Sequence, residues 1–488
     1  MIQSSSQAPS MKAASRPAPH CAPRFAHRIS PMGGRFQGAP AIFDCYGASM
    51  IDAFKNSWAL LFGVLLLMLG NGIQGTLLGL RGEIEGFSTF EMSLIMAGYF
   101  VGFLGGSRMT PWLIRRVGHV RVFAALASFV SAVLILYPVI VDPIAWALFR
   151  VVFGFAFSGV YVTAESWLNH QSTNETRGQT LSLYLVVQTV GIIAAQGLVL
   201  TADPGGFVLF ILPSVLVSLS FAPILLSVTP TPAFGTTRRM SLGQLYKISP
   251  LGVAGMMIMG LLFSAQFGMA AVYGTRAGLS VSQISLFIAM FYVGGMLLQF
   301  PIGWVSDRMD RRRLIVAAAG VGALGALIPV VFSGFAALLV AAFFIGGMSN
   351  PLYALLIAYT NDFLEGDDMP AASSGLMFLN GLGAIAGPVA TGWMLEGIGP
   401  NGFFVYLALA FAALLAYGIW RMTRRPSPSV DETHSYTPVS PSASPVAMDL
   451  AQELYVEAVA EAAEAAVAED AQNSGEIEST VSRTSTVR

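Results

Sequence analysis

Between residues 58 and 421 the chain is close to one continuous apolar run, broken only by short charged or Gly/Pro-containing stretches. The breaks leave twelve segments, near 58–80, 89–108, 119–139, 144–167, 178–200, 206–228, 250–274, 281–304, 313–333, 336–360, 372–396 and 403–421. A helix rises about 1.5 Å per residue and the hydrocarbon core of a bilayer is about 30 Å thick, so a spanning helix needs about 20 apolar residues. The segments have that length. Strands of a membrane barrel are about half as long and alternate polar with apolar residues, which these runs do not. Composition agrees: 11% of the 488 residues are charged, against about 25% in soluble chains. The expected fold class is therefore an all-α membrane protein with twelve transmembrane helices, its main partner the lipid bilayer.

Several function classes drop out on inventory. The net charge of −1 lacks the basic surplus that nucleic acid requires. Only two cysteines, Cys21 and Cys45, are present, both ahead of the first apolar segment, which argues against a disulfide framework or a zinc site. No Gly-rich phosphate loop precedes a Lys-Ser/Thr pair, and the five histidines fall in loops or tails. The expectation is no enzyme, no catalytic residue, no metal and no cofactor.

The flanks differ in character from the apolar region. Residues 1–57 are rich in Ser, Pro and Ala and read as a disordered tail, or as a stretch ahead of a start at Met50. With Lys12, Arg16, Arg24, Arg28 and Arg35 and no acid in the first 43 residues, the composition also fits an organellar address. Residues 422–488 read as a Pro/Ser linker, Pro426 to Pro445, followed by an Ala/Glu-rich stretch. There Glu453, Glu457, Glu461 and Glu464 recur at helical spacing, the pattern of a solvated acidic helix.

Basic residues set the orientation. If both tails are cytoplasmic, fifteen Lys and Arg flank the segments on the inside and only Arg81 and Arg276 lie outside, a strong positive-inside bias. The expected location is a bacterial-type inner membrane.

An internal repeat runs at an offset of 192 residues. Gln74 matches Gln266, Val101-Gly102 matches Val293-Gly294, Trp112 matches Trp304 and Arg116 matches Arg308. Gly154 matches Gly346, Tyr161 matches Tyr353, Asn169 matches Asn361 and Ser182 matches Ser374. The unit is six helices used twice, giving an N-terminal bundle at 58–228, a central cytoplasmic loop at 229–249 and a C-terminal bundle at 250–421.

The stretch Gly303-Trp304-Val305-Ser306-Asp307-Arg308, followed by Asp310 and Arg311 to Arg313, resembles the signature loop of the major facilitator superfamily. Its degenerate counterpart is Pro111-Trp112-Leu113-Ile114-Arg115-Arg116-Val117-Gly118. Ala164-Glu165-Ser166-Trp167 with Arg177-Gly178 resembles a poorly characterised bacterial subgroup of such carriers. The resemblance covers 58–421. It implies two six-helix bundles rocking about a midplane site by alternating access, with Asp307, Arg308 and Arg116 as gating residues.

Charges inside a bilayer are costly, so each needs a reason. Two stand out, both in the fourth segment. Arg150 and Glu165 share a helical stripe with Gly154 and Tyr161 but lie about 22 Å apart along the axis, too far to pair. Arg150 followed by Gly154 resembles the fourth-helix motif of proton-coupled antiporters, an anion-attracting or proton-relay group. Glu165, beside Trp167, is expected to pair with Arg116 in the cytoplasmic gate, with proton carriage as its second reading. Polar residues that could line a cavity are Asn71, Gln74, Tyr184, Gln188, Gln266, Tyr292, Gln299, Asn350, Tyr353 and Asn380, with Tyr161. No carboxylate sits mid-membrane in the first, seventh or eighth segment, and Ala195-Gln196 stands where the eleventh has Gly387-Pro388. Both count against a multidrug antiporter, and Arg150 instead tilts the substrate towards a neutral or anionic small molecule. The reading is a monomeric carrier of a small organic solute, driven by an ion gradient (protons included) or facilitative. The competing reading is a non-transporting receptor or assembly factor acting through its acidic tail.

Overall fold

The structure is a computed structural model that describes residues 39–171, 177–225, 240–364 and 368–424, with isolated positions between 436 and 452; side chains are described from residue 58 onward, those at 170, 171, 177 and 223–225 excepted. Among the described residues every regular element is helical. The first half carries α1 (Ala39–Ile84), α2 (Thr89–Val117), α3 (His119–Leu136), α4 (Pro143–Gln171), α5 (Arg177–Leu198) and α6 (Val208–Leu225). After the short α7 (Leu242–Ile248), α8 (Pro250–Ser264) continues through a π-helical turn at Ala265–Met269 into α9 (Ala270–Arg276). Then follow α10 (Val281–Ser306), α11 (Arg311–Val331), α12 (Phe335–Asn361), α13 (Met369–Ile398) and α14 (Asn401–Met422).

Among the described residues, eleven helices are long and apolar enough to cross a membrane, counting α8 and α9 as one. The expected sixth segment is described only as far as Leu225, and its apolar helix over Val208–Ala222 is shorter than the rest. The circumference of the helix assembly carries exposed apolar side chains, among them Ile144, Leu324, Val331 and Trp393. Soluble proteins do not present such a surface to water, and lipid is the solvent that fits it.

The 192-residue offset is visible in the packing. Gly154 on α4 lies against the Tyr99 backbone of α2, and Gly346 on α12 lies against the Phe291 backbone of α10. Gly102 meets the Val151 carbonyl, and Gly294 meets the Phe343 carbonyl. Gly72 on α1 faces Ala195 on α5, just as Ser264 on α8 faces Gly387 on α13. Each pair is its counterpart shifted by 192. Even the helix starts repeat: Ser88 and Glu91 form a capping box at α2, and Ser280 and Gln283 form one at α10. Small residues let two helix backbones approach, and that closeness replaces the hydrophobic drive missing in lipid. Gly154→Leu or Gly346→Leu should therefore abolish folded protein in size-exclusion profiles. Gly197→Ala should leave the profile unchanged, because a Cβ there meets nothing within 4 Å.

Candidate substrate cavity

At the end bearing Arg81 and Arg276, the halves touch directly. Gly79 lies against Ala271 and Gly392 against Ser93. The Phe90 N–H donates to Glu396 Oε1 at 3.1 Å, and Arg276 lies 3.8 Å from Glu83. Towards the basic end the halves also meet, with Arg108 3.9 Å over the Phe378 ring and Gly381 against Leu104. Inside, between the halves, lies a cavity of about 420 Å³, within the usual range for small-molecule sites.

Nine of the expected cavity residues line it: Asn71, Arg150, Tyr161, Gln188, Tyr292, Gln299, Asn350, Tyr353 and Asn380. The other three sit one layer back. Gln74 accepts a hydrogen bond from Arg150, Gln266 in the π-helical turn accepts from Ser349 Oγ at 3.1 Å, and Tyr184 donates to Glu165 at 2.7 Å. Sequence reasoning missed the aromatic wall of Tyr99, Phe103, Phe263 and Phe267, and also Arg108 and Gln196. Aromatics inside an apolar run leave no periodic signal, so only the fold could gather them. Gln196, whose sequence position aligns with Pro388, accepts through Oε1 from Thr76 Oγ1 at 2.9 Å.

Several lining groups are left open. Gln188 Nε2, Asn380 Oδ1 and the Tyr353 hydroxyl are buried and make no hydrogen bond. Such groups are normally satisfied by protein or water, so a polar solute has donors and acceptors waiting.

Arg150 is the strongest feature. It is only 5% exposed, and its guanidinium lies 5.0 Å from the Tyr99 ring centre and 5.8 Å from that of Phe153. One nitrogen donates to Gln74, another lies 3.6 Å from Met96 Sδ, and Nε is unsatisfied. Among the described residues the cavity lining holds two arginines, Arg108 and Arg150, and no Asp or Glu. Rings and an amide soften the cost of burying a guanidinium but do not neutralise it.

The gating residues are arranged differently from the sequence expectation. Glu165 and Arg116 do not meet. Glu165 Oε2 instead accepts from the backbone N–H groups of Ser444 and Ala447 at 3.1 and 3.3 Å. Arg116 stacks on Trp112 at 5.3 Å and Arg308 on Trp304 at 4.1 Å, again one geometry repeated at 192. Asp307 accepts from the Tyr436 N–H at 2.7 Å and lies 3.9 Å from Arg311. Burial pushes the Asp307 carboxyl above its usual range, while the Tyr436 N–H and the nearby Arg311 and Arg308 pull it back. Charge burial also extends beyond the two groups of the fourth segment. Arg311, 1% exposed, is paired with Asp362, and Arg312 lies 3.2 Å from Asp310.

Fold and cavity together are those of an integral membrane protein with room for a small solute between its halves. Residues 251–448 match the Major Facilitator Superfamily model, and residues 74–232 match that for the "Sugar (and other) transporter" family. Over those residues the chain is similar to the major facilitator superfamily. It is 26% identical over 361 residues to the Salmonella arizonae protein called "Uncharacterized MFS-type transporter YcaD", covering 73% of this chain and 93% of that one. An Enterobacter MFS-type transporter is 27% identical over the same shares. Among solved structures, the nucleoside transporter NupG superimposes with TM-score 0.61 at 14% identity, over 76% of this chain and 99% of NupG. A bacterial homologue of the human lysosomal transporter Spinster, crystallised inward-facing and unoccupied, gives 0.56 at 15% identity, over 82% and 98%.

Proposed function

We propose that the chain is a secondary carrier of a small organic anion, working by alternating access. The observation that carries this reading is Arg150, buried in a cavity whose described lining holds two arginines and no carboxylate. A buried charge is ordinarily paired, and here an anionic solute would supply the partner. The aromatic wall suits a planar or apolar portion of that solute, and the open amides and phenol suit its polar groups.

In this reading, α1 to α6 and the elements from α8 to α14 are two six-helix bundles, twelve spans in all, with α6 as the sixth. The bundles rock about the cavity. Positive-inside charge supports a cytoplasmic basic end and cytoplasmic termini in a bacterial cell. The seam between the halves at the opposite end fits a conformation closed to the outside. Glu165 is the buried carboxylate available should protons drive the cycle. A receptor role for the tail is disfavoured by a cavity furnished for a solute.

Ligand-induced thermal stabilisation of the purified protein tests the substrate class. Each carboxylate or phosphate in a panel is paired with its neutral amide or parent alcohol, nucleosides included. A ligand at 100 times its Kd adds about 2.7 kcal/mol of stability. The expected result is stabilisation by at least one anion and not by its neutral twin. Stabilisation confined to neutral or cationic members would sink the anion assignment.

A further inference from the structure

We infer that the described residues between Tyr436 and Gln452 form a plug seated in the basic-end mouth of the cavity, which blocks the mouth and keeps the bundles from closing there until those residues leave. What is blocked rests on the carrier reading above; the seat itself rests on contacts alone.

The segment is anchored to both halves. From the first half, Glu165 accepts the Ser444 and Ala447 N–H groups. From the second, Asp307 accepts the Tyr436 N–H, and the Tyr436 ring lies on Gly303 of the signature loop. Gln452 closes the far end, donating to Ser373 Oγ at 2.6 Å and accepting from Asn361 Nδ2 at 3.1 Å. Val439, Ala447, Met448 and Ala451 are each no more than 5% exposed. The gap left between this segment and α5 is about 10 Å³, at the limit for one water molecule. Pro441 reaches the cavity itself and forms part of its lining.

Position makes this more than a packed tail. Its contacts with Glu165, Asp307, Asn361 and Ser373 all lie at the basic end, so the segment lies across that mouth of the cavity. A peptide hydrogen-bonded to both halves must detach from one before they can approach. The plug also consumes the acceptors of Asp307 and Glu165, two residues of the expected gate, so docking and gate formation compete for the same oxygens. Directly beyond Gln452 the sequence carries Glu453, Glu457, Glu461 and Glu464, while the loops at this end carry Arg115, Arg116 and Arg121. Opposite charge would hold the tail near its seat, and salt would weaken that attraction.

The test reads access, not transport. In a chain carrying Cys21→Ser and Cys45→Ser, Ser107→Cys places one thiol on the cavity wall. Labelling by a membrane-impermeant maleimide is followed from the basic side in inside-out vesicles. Adding Ser444→Pro and Gln452→Leu removes two anchors within the full-length chain, and a second variant ends at Arg424. Labelling should accelerate at least tenfold in both. A synthetic peptide spanning 426–470 should slow the shortened variant again, less effectively at 0.5 M salt than at 0.05 M salt. Equal labelling rates in the intact and anchor-free chains, both monodisperse, would overturn the plug; should the shortened chain aggregate, the full-length variant decides alone. Faster labelling in a protein that transports nothing would keep the plug and remove the carrier reading.

Discussion

Arg150→Gln should weaken binding of the transported anion by about 30-fold or more. Truncating one partner of a buried, hydrogen-bonded charge pair costs about 2–5 kcal/mol, and each 1.4 kcal/mol is a factor of ten. The same substitution should leave the empty protein as stable as before, or more so. In the empty cavity the guanidinium has Gln74, Met96 and two rings as neighbours, with no carboxylate among the described lining residues. Removing an uncompensated buried charge relieves a desolvation cost. Gln retains an amide N–H for the Gln74 carbonyl. A structural arginine behaves in the opposite way, its loss lowering stability while any ligand effect follows from misfolding. Arg150→Lys should fall between, keeping the charge but losing the planar fork that grips a carboxylate in two places. Thermal unfolding with and without ligand separates these outcomes, and a fall in empty-state stability with unchanged ligand affinity would remove Arg150 from the site.

The second large effect is expected at the buried pair of Arg311 and Asp362. Their side chains are 1% and 2% exposed, and Arg311 also donates to the Ala358 carbonyl at 3.3 Å and to Ser306 Oγ at 3.3 Å. This ties the start of α11 to the end of α12 and to the signature loop. Arg311→Ala takes the guanidinium away from the buried Asp362 carboxylate, and breaking such a pair costs about 3–5 kcal/mol. The single variant should lose most of its folded yield. Replacing both partners with apolar residues of similar size, R311M with D362L, should recover much of it, because the buried charge is gone on both sides. Fluorescence-monitored unfolding of the two single variants and the double variant checks this. Equal damage in single and double variants would mean that the pair orients the loop instead of merely cancelling its own burial.

The fold was largely readable from the chain because lipid imposes length and the repeat imposes register. The match of Gly154 to Gly346 predicted related environments, and each glycine indeed lies on the partner helix at the corresponding residue, Tyr99 or Phe291. Cavity residues with amide or phenol groups were readable because hydrocarbon gives such groups no partner. The aromatic wall was not, since a Phe in a membrane helix looks the same whether it faces lipid, a neighbour or a solute. Partner choice was the other blind spot. Glu165 could be placed at a helix end from sequence, but its acceptance of N–H groups from Ser444 and Ala447, 279 and 282 residues away, depends on where a Ser/Pro-rich stretch comes to rest. That stretch reads as a linker, and its described residues between 436 and 452 are instead seated on the helices. Residues 1–38 and the acidic stretch beyond Gln452 lie outside the described residues.

Counterflow in proteoliposomes tests the central claim most directly. Vesicles loaded with an excess of an unlabelled organic anion are diluted into the same labelled compound, using the full chain and the full-length Ser444→Pro, Gln452→Leu variant, with and without a pH gradient. The account predicts a transient accumulation of label for an anion, absent for its neutral twin, abolished by Arg150→Gln and larger in the variant with the weakened tail seat. No exchange by either protein across a broad panel of anions, or exchange that favours cations, would contradict it.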